Sequence, residues 1–293
     1  MNVKRILVIA DRKDSSQKAL AHAALMAKQF NASVHVAGFC YERLSVLDES
    51  MTKSDIDIAK QKIVQASQAW LDETVSESSL PVSTTDEMVW SKDIAAWVSK
   101  HCSTHQYDLI IKTGHRSEHA FYVPTDWQLL RSGNVPLLLV AEKKWRKKQT
   151  IMLTLDMAST KKTKQALNQK VIDAGKELAN ANNMPIHVCF SLALSPVLKD
   201  LGIIDKRKSL KDAKKKYIPK IQSMFGSQGI PEENIHIKVG YADKVVPSVA
   251  SDVGAAFVIM GSVGRKGLKA KMLGNTAESV LTLLKTDVLI IQP

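Results

Sequence analysis

Apolar residues along this chain fall into two patterns. Short unbroken runs, such as Leu137 to Val140, read as strands buried on both faces, because a strand with one wet face would alternate. Longer stretches in which Ala and Leu recur at helical spacing, such as Lys18 to Lys28, read as helices with one buried stripe. The two patterns alternate, and the whole series occurs twice at an offset of roughly 145–150 residues. First strands run over Arg5–Asp11 and Thr150–Asp156, each apolar and each closing on Asp. Helices follow at Lys18–Lys28 and Gln165–Leu178, then second strands at Ser33–Cys40 and Pro185–Leu192. Helical stretches at Lys53–Val75 and Lys208–Met224 lead to third strands at Val82–Val89 and Asn234–Val239. Short helices at Asp93–Ser99 and Lys244–Ser251 precede fourth strands at Asp108–Lys112 and Ala255–Met260. The last strands are Pro136–Val140 and Val288–Ile291.

Strands that alternate with helices predict parallel βαβ units with right-handed crossovers. The expected class is therefore α/β, with two tandem doubly wound parallel sheets, one in a domain over 1–145 and one over 150–293. The charged run Glu142 to Gln149 suits an exposed connector between them. Ligands of such sheets sit beyond the carboxyl ends of the strands, where the winding reverses.

Charge separates the two halves. Residues 1–145 hold 17 basic and 17 acidic side chains, whereas 146–293 hold 24 and 12, so the whole net charge of +12 lies in the second half. A basic domain attracts anions such as nucleotide phosphates, nucleic acid or acidic headgroups. The three cysteines, Cys40, Cys102 and Cys189, show no metal-like spacing and fit a reducing compartment. The apolar run Ile6 to Ala10 is too short for a signal-peptide core, and no run reaches the roughly 20 residues of a membrane span. These features lead to the expectation of a cytoplasmic protein without a membrane span.

The second half carries the most specific motif. Gly261-Ser262-Val263-Gly264 is followed after nine residues by Gly274-Asn275-Thr276, between the strand ending at Met260 and a helix starting near Thr276. Glycines let a backbone approach an anion closely, and the unpaired N–H groups of a helix start attract it. A tight strand-to-helix turn that binds nothing has the same spacing. Arg265, Lys266, Lys269 and Lys271 lie in the spacer, where they could screen phosphate charge or simply be solvated.

This G-x-x-G-x9-G signature, followed by small polar residues, resembles the nucleotide-binding signature of the universal stress protein family. The whole chain is similar to the family's tandem, E-type arrangement. The resemblance implies two five-stranded sheets of order 3-2-1-4-5, packed on each other as a pseudo-dimer, so that the protein is a monomer with that internal pair or a homodimer. It implies an ATP site, with or without Mg, in the second domain. Gly261, Gly264 and Gly274 match the family positions on ribose and phosphates, Asn275 stands where the family has Ser or Thr, and Thr276 follows it. Asp156 matches the family Asp at the nucleoside end; its alternative is an ordinary capping or turn residue.

The first half keeps Asp11 but not the signature. Gly114 stands at the first glycine position and Ser117 and Trp127 at the second and third, while the segment Phe121 to Trp127 ahead of the last helix has no glycine and Pro124 there removes a backbone donor. A structural first domain without ATP is expected. His115 and His119, four residues apart, could join Asp126 or Glu118 around a metal, and His101 and His105 form a second pair beside Cys102; surface histidines are the alternative.

No Walker A motif, dinucleotide fingerprint or G-x-S-x-G elbow occurs, and no nucleophile with its base can be assembled. Binding without dedicated catalysis is expected, with slow ATP hydrolysis at most. Lys206, Arg207, Lys208, Lys211, Lys214, Lys215, Lys216 and Lys220 crowd one helix, which reads as a solvated face rather than a nucleic-acid surface because Tyr217 is the sole aromatic among them. Three functions remain: a stress-response protein binding ATP or a related nucleotide, a scaffold holding another anionic or lipid-like ligand, and a nucleic-acid binder.

Overall fold

The computed structural model describes residues 3–12, 14–44, 52–114, 125–132, 135–141, 149–195, 197, 201–263 and 275–293. The chain divides into two compact units, Asn2–Glu142 and Lys143–Pro293. Each is an α/β unit built on one five-stranded parallel sheet.

In the first unit the elements are β1 (Arg5–Ile9), α1 (Lys18–Phe30), β2 (Ser33–Cys40), α2 (Lys53–Ser76), β3 (Thr85–Trp90), α3 (Ile94–Thr104), β4 (Leu109–Thr113), α4 (Thr125–Ser132) and β5 (Leu137–Val140). The strand order is β3-β2-β1-β4-β5, with every neighbouring pair parallel. The second unit follows with β6 (Thr150–Thr154), α5 (Lys162–Asn182), β7 (Ile186–Leu192), α6 (Lys206–Met224), β8 (Ile235–Val239), α7 (Ala242–Asp252), β9 (Ala255–Gly261), α8 (Asn275–Leu283) and β10 (Asp287–Ile291). Its order, β8-β7-β6-β9-β10, is also parallel throughout. Both are the 3-2-1-4-5 order, and in both the winding reverses between the first and fourth strands.

The central strands are apolar because both faces are covered. Ile6, Leu7 and Val8 of β1, and Ile151, Met152 and Leu153 of β6, are fully buried. Helix α1 turns Ala19, Leu20, Ala23 and Ala27 inward, and α5 turns Leu167, Val171, Ile172 and Ala174 inward. These two helices also end alike. Asn31 and Asn183 each adopt a left-handed conformation, with φ of 50° and 51°, and return their N–H groups to Ala27 and Ala179. Asn tolerates that conformation and closes the helix without a glycine.

Three expectations shift. The third strand begins at Thr85, because Pro81 and Thr84 close a turn and Val82 is left fully exposed. Thr125, Asp126 and Trp127, expected ahead of the last helix of the first half, form its first turn. Gly261, expected in the loop, is the last residue of β9 and pairs with Ile291 of β10. No helix among the described residues is long and apolar enough to cross a membrane.

Candidate functional site

A cavity of about 610 Å³ opens at the switch point of the second unit. Thr154, Leu155 and Asp156 from the end of β6, with Met260, Gly261 and Ser262 from β9 and its exit, form one side. Cys189 to Ser191 on β7, Tyr241 and Val246 of α7, and Ala277 and Val280 of α8 supply other walls. Its volume lies within the range of small-ligand pockets, with apolar walls and a few polar groups.

Asp156 is held from two directions. The side-chain amide of Asn168 accepts from the Asp156 N–H at 3.0 Å and donates to its carbonyl at 3.0 Å. The Lys164 ammonium meets the carboxylate at 2.6 Å, with both side chains roughly two-fifths exposed. Lys164 and Asn168 are one helical turn apart on α5, which places them on one face. Lys161, just ahead of that helix, also lines the cavity. Sequence reasoning singled out Asp156 but not Lys161, Lys164 or Asn168. Their spacing after the Asp was the available signal, but four-residue spacings of polar groups occur on every amphipathic helix.

Gly261 lies in the cavity wall, but packing explains it as well as ligand approach does. A Cβ there would stand 2.7 Å from both Cγ and Cδ2 of Leu167. Ser262 is buried, and its N–H donates to the Ile291 carbonyl at 2.9 Å. Gly264, Gly274 and the spacer cations Arg265, Lys266, Lys269 and Lys271 lie outside the described residues. Asn275 and Thr276 open helix α8, the element that also brings Ala277 and Val280 to the cavity. Asp156 and Gly261 are thus brought together, and the helix that begins at Asn275 reaches the same cavity.

The switch point of the first unit is built differently. Matching hydrogen bonds set the register: Gly114 N–H donates to Val140 as Ser262 N–H donates to Ile291. Gly114 therefore corresponds to Ser262, not to Gly261, which corrects the alignment drawn from sequence. Thr113 takes the place of Gly261, and its hydroxyl donates to Asp14 Oδ2 at 2.8 Å. Lys112 takes the place of Met260. Helix α4 buries Leu129 and Leu130 as α8 buries Val280 and Leu281, which sets Asp126 where Ala277 stands. Lys112 Nζ meets Asp126 Oδ1 at 2.9 Å, and the two side chains are 5% and 6% exposed. Two residues that line a cavity in one unit are replaced by a buried ion pair in the other. Asp126, considered as a metal ligand from sequence, belongs to this pair instead. His115, His119 and Glu118 lie outside the described residues. A larger cavity of the first unit, about 910 Å³, lies elsewhere, between α1 and α2, with Asp14, Trp70 and Glu77 among its lining.

Side-chain chemistry near the second site is quiet. All three cysteines are free. Burial pushes the Cys189 thiol, on the cavity wall, up to about 12, so it stays protonated at neutral pH. The eight basic residues on α6 are exposed, while Ala213, Ile218 and Ile221 form its buried stripe.

A family model described as the universal stress protein family matches residues 2–141 and again 150–292. The universal stress protein E homolog of Haemophilus influenzae is 26% identical, over 100% of this chain and 98% of its own. A protein of unknown function from Pseudomonas aeruginosa superimposes with a TM-score of 0.72 at 22% identity, over 99% of this chain and 93% of its own. A universal stress protein from Archaeoglobus fulgidus gives a TM-score of 0.67 at 14% identity, covering 98% and 96%. At these identities the two structures speak for the fold alone.

Proposed function

Because the chain belongs to the universal stress protein family of the stress response, we propose that it is a nucleotide-binding member that holds ATP or a related nucleotide in its second unit. The observation that carries this reading is the 610 Å³ cavity in which Asp156, Lys164 and Gly261 meet at the switch point. Asp156 would accept from the nucleoside, and its backbone is already fixed by Asn168. Lys161 would face the polyphosphate, and so would Lys164 once the nucleoside takes its place on Asp156; the anionic oxygens also favour the N–H groups at the start of a helix. The run Gly264, Gly274, Asn275 and Thr276 would complete the grip by the same backbone chemistry. A bound nucleotide supplies a hydrogen-bonding base and a chain of negative charge; Mg, if present, would sit on that chain.

The first unit acts structurally in this reading, since Lys112, Asp126 and Thr113 occupy its switch point with contacts of their own. No constellation for catalysis accompanies the site among the described residues, and this reading keeps turnover slow at most. The apolar walls from Phe190, Met260 and Val246 also suit a scaffold that holds another anionic or lipid-like ligand. Calorimetric titration of ATP, with and without Mg, onto the full-length chain separates these readings. Wild type should bind, and Gly264→Glu and Asp156→Ala should each weaken binding at least about tenfold, the effect of losing one directed contact. Equal affinity in all three proteins would remove the nucleotide from this cavity.

A further inference from the structure

The first unit carries a second constellation, remote in sequence from the glycine signature. His35 on β2 pairs with Thr85 on β3, and Glu87 lies two residues further along β3. Strand side chains alternate, so His35 and Glu87 share one face of the sheet. Helix α3 covers that face and brings His101 to them: the His35 and His101 rings stack with centres 5.3 Å apart. One ligand atom from each of His35, Glu87 and His101 lies within 4.8 Å of the others. His35 Nε2 is 3.2 Å from Glu87 Oε1, and their side chains are 17% and 44% exposed.

We propose that His35, Glu87 and His101 form a binding site for a divalent transition-metal ion of the zinc class. Two imidazole nitrogens, which are borderline donors, and one harder carboxylate oxygen make a set that suits zinc, and a water would fill the fourth position. Zinc ligands at about 2.0–2.2 Å from the ion stand roughly 3.3 Å from one another, so the site closes with small side-chain rotations. Outer contacts hold the ligands in place. Thr85 Oγ1 lies 2.9 Å from His35 Nδ1, which leaves Nε2 directed at Glu87. The Tyr107 hydroxyl meets His101 Nε2 at 3.0 Å, and Trp97 and His105 each stack on the His101 ring at 4.3 Å. Such outer partners orient histidine ligands and raise metal affinity. The Arg5 guanidinium lies over the Tyr107 ring, 5.2 Å from its centre, and the Glu87 carboxylate opposes its positive charge at the His101 ring.

The second unit contains an internal comparison. His187 aligns with Met152 on β6 as His35 aligns with Leu7 on β1, and His236 holds the place of Glu87. The two strand donors persist there, with ring nitrogens 3.0 Å apart. The third does not. Helices α3 and α7 are each 11 residues long, and their eighth residues are His101 and Val249. Among the described residues, only the first unit therefore assembles three donors at this position.

The test uses full-length protein stripped with a chelator. Zinc is titrated in competition with a chromophoric chelator, and cobalt absorption reports coordination geometry. Wild type should take up one zinc ion and give tetrahedral cobalt bands. His101→Val, which installs the residue the second unit uses, and Glu87→Gln should each lower zinc affinity at least about tenfold. His187→Val and His115→Ala should leave it unchanged, and near-UV circular dichroism should match across the set. Wild type that loses zinc entirely to the chelator overturns the proposal. So does His101→Val with wild-type affinity, or loss confined to His115→Ala.

Discussion

Lys112 and Asp126 form a 2.9 Å ion pair at the switch point of the first unit, where the second unit places Met260 and Ala277 in a cavity wall. Removing one member of a buried pair leaves a charge without its partner and costs about 3–5 kcal/mol, whereas replacing both with apolar residues is often close to neutral. Lys112→Met and Asp126→Ala should therefore each lower unfolding free energy by about that amount, and the double variant should recover most of the loss. Urea unfolding of the four proteins measures the cycle. Additive losses would mean that the two side chains do not depend on each other.

Gly261 offers a way to separate packing from ligand approach. An alanine there would press on Leu167, so Gly261→Ala should destabilise ligand-free protein by about 1–3 kcal/mol, the usual cost of overpacking. Pairing it with Leu167→Ala should remove that strain, leaving mainly the loss from the shortened leucine. A Gly261→Ala protein that melts with wild type would assign the glycine to the ligand alone.

The sheets were legible because their strands are continuous apolar runs. Ser33–Cys40 was bounded from the sequence as the structure bounds it, and the repeat of the two first strands ending in Asp11 and Asp156 set the architecture. The third strand was overextended because Val82 is apolar yet wholly exposed; hydropathy carries no record of the turn beneath it. The candidate site was half legible. Asp156 and Gly261 lie next to strand ends, which a sequence locates well. Lys164 and Asn168 reach the cavity through the facing of a helix, which requires the packing of α5 to be known. The pairing of Lys112 with Asp126 bridges β4 and α4, and no local pattern reports such a contact. The misalignment of Gly114 has the same origin: a one-residue shift of register is visible only in the ladder of hydrogen bonds.

Lys164 tests whether the ion pair at the cavity mouth exists for stability or for a ligand. With both side chains roughly two-fifths exposed, the Asp156–Lys164 pair is screened and contributes about 0–1 kcal/mol. Lys164→Met should accordingly leave the thermal midpoint nearly unchanged. Under the proposed function it should weaken ATP binding at least about tenfold, with a reduced salt dependence, because a charge facing phosphate is lost. Unaltered ATP affinity in this variant would place the phosphates elsewhere.

His187 and His236 give the second unit a defined response to acid. Their ring nitrogens lie 3.0 Å apart, and both groups are held below the ordinary imidazole value. Burial is the main cause for each; His236 adds to it for His187, and Lys238 adds to it for His236, with Asp252 opposing. Well above the ordinary imidazole value of 6.5 both rings are neutral in folded and unfolded chains alike, and their contribution to stability is fully present. As pH falls below 6.5 the unfolded chain binds protons first, so stability declines until the folded rings also protonate. The double variant His187→Gln and His236→Gln removes this coupling to protons. Its urea midpoint should therefore fall less than that of wild type between pH 7.5 and pH 5, while any offset at pH 7.5 reports packing alone. Parallel midpoint curves for the two proteins across that interval would show that the pair does not couple folding to protons.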